Sequence, residues 1–384
     1  MDQPSTGVYK AVRYVSDLGA RLRAAREAAG LSLAAMSAKT HWSKALLGHL
    51  ETGTRDVKRE HVITYSRALN VSVESLYGPP QDPLRVAHEW LVADTSASVH
   101  RSSGRRVGES FAAEVEQRVI DLRQLDDTIG GGDLSPLVRR ELAETSAVVR
   151  CASYSESVGR RLLVAVGELS QLAGWVASDA GYYLEAQQTY LAGVAAAQDA
   201  GDQTLAGQLL SSLAYQMANV GDPADAALLA KTAVKGARDA TPVAKTLLLE
   251  RVAWAGARAR DVEGARRALD LVDDTYEERS PGIPEPEWVY WMSRDEIDVM
   301  AGRVLIEVGQ PVKAAPLLTR AIDAYDAEHA REVALYQTWL AESYARAGEL
   351  DAAREVIGAA RGAAAGINSA RLGRRVEEIE RLVS

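Results

Sequence analysis

Lys44, Ala45 and His49 are the residues of this chain whose types and spacing best suit contact with a duplex. A lysine ammonium donates to the acceptor atoms of guanine in the major groove, and an alanine methyl can meet the methyl of thymine. Lys44 and His49 are about one and a half helical turns apart, so both can face outward from one helix. Thr52, Arg55, Lys58 and Arg59 follow within a few residues and are the candidate phosphate contacts. The surrounding sequence supplies elements to hold them. Ser32 and Ser43 can each cap a short helix, because a serine oxygen accepts a free first-turn amide. The residues between Ala38 and Lys44 fit a tight turn, and Leu33, Met36, Trp42, Leu46, Leu47 and Leu50 recur at helical spacing. This pattern predicts a helix-turn-helix whose second helix enters the major groove.

Charge is distributed to match. Residues 1–80 carry 11 Lys and Arg against 7 Asp and Glu, a net +4, whereas the whole chain carries −9, which leaves −13 on the remainder. A basic head on an acidic body orients a molecule on DNA; the alternative is that these cations are a solvated face. Catalytic chemistry finds no such support. Six histidines occur, and none forms an i, i+4 metal-ligand pair or joins a serine or cysteine in a nucleophile elbow. The Glu328-His329 pair reads as part of a solvated helix face. The Gly130-Gly131-Gly132 triplet lacks the Lys-Ser/Thr of a phosphate loop and reads as a helix-terminating turn. The chain is therefore expected not to be an enzyme and to need no cofactor or metal.

At 384 residues the chain is long enough for two or three domains. The single cysteine, Cys151, excludes an internal disulfide and cysteine-based zinc clusters; it is expected to be a small buried residue, with redox sensing as the alternative. Residues 1–10 are polar and have no apolar signal core, and no run of about 18 apolar residues exists to span a membrane. A cytoplasmic protein with no membrane partner is expected. Abundant alanine with a single phenylalanine suits close-packed helices better than large sheets.

The expected domains are an N-terminal extension (1–16), the helix-turn-helix head (17–78), a proline-rich linker (79–83), a helical connector that caps the repeats (84–156) and a helical repeat domain (157–384). The connector is predicted to contain helices over 84–93, 108–129 and 134–151. From about Ser157 the chain repeats. Segments beginning at Gly181, Gly221, Arg260, Gly309 and Gly348 each lie between two apolar helices, at intervals of 40, 39, 49 and 39 residues. A period near 40 with two helices per unit signals an α-solenoid. The long interval holds an insertion, Glu277 to Glu287, with three prolines and a glycine, followed directly by Trp288, Tyr290 and Trp291; long loops of this kind are often functional. Gly348 and Ala353 are expected to let the two helices of a hairpin approach closely.

The first helices of stacked hairpins line a concave surface suited to binding. Aligning the repeats places Gln171, Trp175, Gln208, Tyr215, Asn219, Glu250, Trp254, Arg258, Arg303 and Glu342 there as the candidate groove, with Glu168, Asp179, Ser211, Glu296, Glu307, Thr338 and Arg346 beside them. Aromatics among polar groups are the composition of a binding surface, and Asn219 could pair with a peptide amide. The alternative is that Trp175, Tyr215 and Trp254 simply pack between hairpins.

Leu22 to Ser32, Leu50-Glu51-Thr52-Gly53 and Tyr65 to Leu76 resemble the phage-repressor (XRE-type) family, over roughly residues 17–78. The resemblance implies a five-helix head in which Ser43, Lys44, Ala45 and His49 touch bases. Where that family often has a glutamine that grips a phosphate, this chain has Leu33. Trp339 to Ala353, with Ile357 and Ala360, resembles a tetratricopeptide repeat, although the period exceeds the usual 34. Together these imply an all-α fold, a five-helix head followed by a right-handed tetratricopeptide-like solenoid, similar to peptide-sensing regulators of Gram-positive bacteria. The alanine and arginine richness looks like that of actinobacterial proteins. What the resemblance implies is a homodimeric transcriptional regulator that binds double-stranded DNA and senses a peptide or small-molecule effector. The alternative is a protein-interaction scaffold or anti-regulator whose head serves for docking.

Overall fold

The structure is a computed structural model that describes residues 8–55, 57–77, 81–92, 106–128, 131–325, 330–364 and 370–384. Gly130, the Glu328-His329 pair and the first residues of the linker lie outside the described residues. The described elements are helical, apart from an isolated bridge between Arg106 and Ser153. The head contains α1 (Val8–Ala28), α2 (Leu33–Thr40), α3 (Lys44–Glu51), α4 (Arg59–Leu69) and α5 (Val73–Tyr77). The first helix thus opens inside the stretch expected to be an extension. Ser32 and Ser43 cap α2 and α3, each accepting at 3.1 Å from the amide three residues on. Leu22, Met36, Leu47, Val62 and Tyr65 are fully buried and form the centre of the head.

A polar network sets the angle between α1 and α3. Arg26 donates through Nε and Nη2 to the two carboxylate oxygens of Glu51, at 2.7 and 2.6 Å, and through Nη1 to the Leu31 carbonyl. The Tyr65 hydroxyl donates to Glu51 from α4 at 2.8 Å. All three side chains are buried. A bidentate arginine–carboxylate pair is geometrically specific, so the helix expected to enter DNA is held in one orientation.

Beyond the head come α6 (Pro83–Val92), α7 (Glu109–Thr128) and α8 (Gly131–Cys151). Gly131 and Gly132, read from sequence as part of a break, belong to the first turn of α8. Five antiparallel hairpins follow: α9 (Glu156–Asp179) with α10 (Tyr183–Ala200), α11 (Gln203–Val220) with α12 (Pro223–Gly236), α13 (Pro242–Arg258) with α14 (Val262–Glu277), α15 (Arg294–Glu307) with α16 (Pro311–Ala324), and α17 (Ala330–Ala347) with α18 (Leu350–Ala364). The five repeated segments fall at their turns. A last helix, α19 (Ala370–Val383), packs on the fifth hairpin.

The glycines at three of those turns, Gly181, Gly309 and Gly348, work by conformation and not by close approach, whereas Gly221 has φ −122° and a Cβ there would lie 3.2 Å from the Met217 carbonyl oxygen. Gly348 has φ +87°, and a Cβ there would meet nothing within 4 Å. Arg260 adopts the same left-handed conformation at φ 63°, a strained choice for a residue with a Cβ. Close approach occurs mid-helix instead: a Cβ on Gly174 would lie 2.5 Å from the Tyr190 ring. Cys151 also departs from expectation, because it ends α8 with its side chain exposed while Val149 and Ala152 enter the core.

The connector is part of the solenoid. α7 and α8 cover α9, and α6 lies on α10 and α12. Trp90 of α6 fits against Gly236, where a Cβ would come within 2.0 Å of the indole. Gln187 and Gln188 of α10 donate to the carbonyls of Gln81 and Tyr77. The Arg59 guanidinium lies 3.8 Å over the Tyr182 ring. The head is therefore seated on the first hairpin.

Candidate functional site

The outward face of α3 is open. Ser43, Lys44, Ala45 and His49 are exposed, while Leu47 and Leu50 point inward and are fully buried. Thr52, Arg55 and Lys58 are exposed just beyond it. The Thr52 hydroxyl donates to the Gly48 carbonyl, and the Arg55 amide donates to that of His49, so the segment wraps back over the end of α3. Arg59, expected among the phosphate contacts, lies at the joint with the solenoid, with its guanidinium over the Tyr182 ring.

The inner face of the solenoid carries two adjoining cavities of about 370 and 600 Å³. Trp175, Tyr215, Arg303, Leu335 and Trp339 border both. Nine of the ten groove residues read from the sequence line one or the other. Gln171 and Gln208 face the larger cavity; Asn219, Trp254, Arg258 and Glu342 face the smaller; Trp175, Tyr215 and Arg303 face both.

Glu250 is the correction. It lies beneath the groove at 1% exposure, with no hydrogen-bond partner for either carboxylate oxygen. Burial pushes its pKa up to about 8, against the opposing pull of Arg251 and Arg303. The repeat alignment put it on the lining face, but the inward-turned stripe of α13 falls one residue later, on Arg251. The same offset affects the fifth repeat, where Thr338 is fully buried and Trp339 lines the cavity.

The aromatic residues both pack and line. Trp175 stacks on Tyr215 with centroids 5.8 Å apart and planes 27° apart, and Tyr215 meets Trp254 at 6.5 Å. Tyr336 stacks on Trp339 at 5.8 Å and 19°. Arg303 bridges the two groups, with its guanidinium 4.5 Å from the Trp254 ring and 4.2 Å from that of Trp339, and it donates to the Tyr215 hydroxyl at 2.9 Å. The half-buried Glu296 accepts from both the Tyr325 and Tyr336 hydroxyls, and desolvation raises its pKa.

Asn219, expected to meet a peptide amide, is committed within the wall: its Nδ2 donates to the Tyr215 carbonyl and its Oδ1 accepts from Trp254 Nε1. The repeat-three insertion forms another wall. Glu285 accepts from the Val243 and Ala244 amides at 3.0 and 3.3 Å, a carboxylate on the N-terminus of α13. That anchor sets Trp288, Tyr290 and Trp291 along the larger cavity. Arg374 and Arg375 of α19 close the smaller one; Arg374 donates to the Asp179 carbonyl and Arg375 to Glu342. The period-40 pattern gave no sign of α19, because that helix lies outside the repeats.

Residues 17–76 match the family of the helix-turn-helix domain. No curated protein is similar enough in sequence to match the chain. Among solved structures, the apo form of the competence regulator ComR from Streptococcus vestibularis is similar at 12% identity, over 83% of this chain and 96% of that one, with a TM-score of 0.33. No described helix is long and apolar enough to cross a membrane.

Proposed function

We propose that this chain is a sequence-specific DNA-binding transcriptional regulator, with α3 as its reading helix and the solenoid groove as the seat of a signal molecule. The observation that carries the reading is the exposed row Lys44, Ala45 and His49 on a helix whose orientation is fixed by the buried Arg26, Glu51 and Tyr65 network. Lys44 and His49 read base edges, Ala45 meets a thymine methyl, and Ser43 contacts a base at the helix start. Thr52, Arg55 and Lys58 hold the phosphates. The solenoid joins two copies, so that two heads meet two half-sites about one helical turn apart.

The joint between head and solenoid supplies a route for the signal. Arg59 rests on Tyr182, at the N-terminal edge of α10, and α10 is paired with α9, which carries Gln171 and Trp175. A ligand that binds one arrangement of the first hairpin more tightly than another shifts the position of the head, and differential affinity is the only source of that shift.

The test is a salt titration of duplex binding by fluorescence anisotropy. If Arg55, Lys58 and neighbouring donors neutralise phosphates, the logarithm of affinity falls linearly with the logarithm of salt, at about −0.9 per phosphate contacted. The reading predicts a slope near about −3 or steeper for each head, on that per-phosphate scale. A protein-interaction scaffold binds no duplex at any salt concentration, and that result refutes the proposal.

A further inference from the structure

The groove is rich in rings, and part of its side-chain amide capacity is already used within the wall. Binding a peptide main chain calls for side-chain amides that can offer both a donor and an acceptor. Here Asn219 has both groups engaged within the wall, and three glutamines have one group engaged each. Asn219 uses its donor on Tyr215 and its acceptor on Trp254. Gln208 accepts from Ser211, Gln171 donates to Ser212, and Gln216 donates to the Tyr183 carbonyl. The cavities also present much aromatic surface: the Trp175 and Tyr215 stack, the Tyr336 and Trp339 stack with the Arg303 guanidinium between the two groups, and the anchored Trp291.

Size and charge narrow the occupant. A cavity of about 600 Å³ falls in the range that encloses a drug-sized molecule. Seven arginines and eight carboxylates line the two cavities together, and one of the carboxylates, Glu296, is sealed by two tyrosine hydroxyls. The lining is close to electroneutral, which disfavours polyphosphates and strongly basic segments. The guanidinium groups of Arg123, Arg251 and Arg303 border the larger cavity and can donate only to acceptor atoms.

We infer that the ligand of this groove is a planar, multi-ring aromatic small molecule of low net charge that carries acceptor oxygens on its edge. It lies in the larger cavity against Trp175 and Trp291, with the Arg303 guanidinium, which covers the Trp339 ring, at its edge. Ring-on-ring stacking in offset geometry supplies the affinity, and the arginine edges orient the oxygens. This inference rests on the regulator reading only for the consequence of binding; the chemistry of the cavity stands apart from DNA.

The test uses calorimetry on the full chain with a probe panel: 1,8-dihydroxyanthraquinone, flavone and 1-hydroxyphenazine, the ring-saturated perhydroanthracene as control, and a mixed octapeptide pool. Saturable binding of at least one planar probe, at one site per chain, with no binding of the saturated control, is the expected result. Trp175→Leu should weaken the bound probe about tenfold, and Trp175→Phe, which keeps a stackable ring, should restore most of it; circular dichroism melts establish that both variants are folded. The inference is overturned if no planar probe binds, if Trp175→Leu and Trp175→Phe bind alike, or if the octapeptide pool binds in place of the rings. Duplex binding measured on the same sample separates the two readings. Probe binding without DNA binding removes the regulator and leaves the ligand class standing, whereas DNA binding without probe binding does the reverse.

Discussion

Glu250 makes the solenoid more stable in acid than in base, and replacing it should remove that dependence. Its carboxyl is buried on α13 with both oxygens unpartnered, and burial raises its pKa from 4.5 to about 8. Arg251, Arg303, Arg294 and Asp273 are the charged groups that act on it. The folded chain therefore holds the proton at neutral pH, while the unfolded chain has lost it. Below pH 4.5 both states are protonated and the group is neutral in its effect. As pH rises from 4.5 toward 8 the unfolded state binds fewer protons, so stability falls at about 1.4 kcal/mol per pH unit, and above about 8 the loss levels off. At pH 7 the accumulated cost is about 3 kcal/mol on that slope. Glu250→Met keeps the volume and removes the titrating group. Urea melts at pH 4.5, 6, 7 and 8, read by circular dichroism, should show the variant gaining on the wild type step by step, to about 3 kcal/mol at pH 7. Other titrating groups are common to both proteins and cancel in the difference. A gap that is constant across this range, or a variant that is less stable at pH 8 than the wild type, refutes the burial argument.

Three further outcomes come from particular contacts. Glu51→Ala leaves Arg26 buried without its bidentate partner and should cost about 3–5 kcal/mol of head stability, measured by urea denaturation of the variant; a cost below about 1 kcal/mol would place the network among weakly contributing surface pairs. A double-mutant cycle of Arg59→Ala and Tyr182→Ala should return a coupling of about 0.5–1 kcal/mol; zero coupling would mean that the head does not rest on the first hairpin in solution. Gly236→Ala drives a methyl into the Trp90 indole and should destabilise by about 1–3 kcal/mol, and Trp90→Ala in the same chain should cancel much of that penalty if the clash is its cause.

The parts of the fold with strong local signals were legible in the sequence. Ser32 and Ser43 marked two helix starts, and five segments marked the hairpin turns, because left-handed residues at Gly181, Arg260, Gly309 and Gly348 and the Asp222 cap with Pro223 after Gly221 are determined by a few neighbouring residues. The groove was legible to within one residue. An offset of one position rotates a helical side chain by about 100°, enough to exchange Arg251 for Glu250 and Trp339 for Thr338. Other features depend on residues far apart in the chain. The seating of Arg59 on Tyr182, the fit of Trp90 to Gly236, and the reach of Arg374 in α19 to Asp179 in α9 leave no trace in spacing. Cys151 is similar: it ends an otherwise well-packed helix, and only the three-dimensional course of α8 shows which neighbours take the core positions.

The central claim is that the exposed face of α3 reads base sequence, and one competition measurement tests it directly. A duplex selected for binding to the wild-type protein is labelled, and unlabelled random duplex is used to displace it, with wild type and the Lys44→Ala, His49→Ala double variant compared by anisotropy. The account predicts that the wild type prefers its selected site and that the double variant binds both duplexes alike, since each lost base contact removes about 1–3 kcal/mol of discrimination. A double variant that keeps the full preference for the selected site would contradict it.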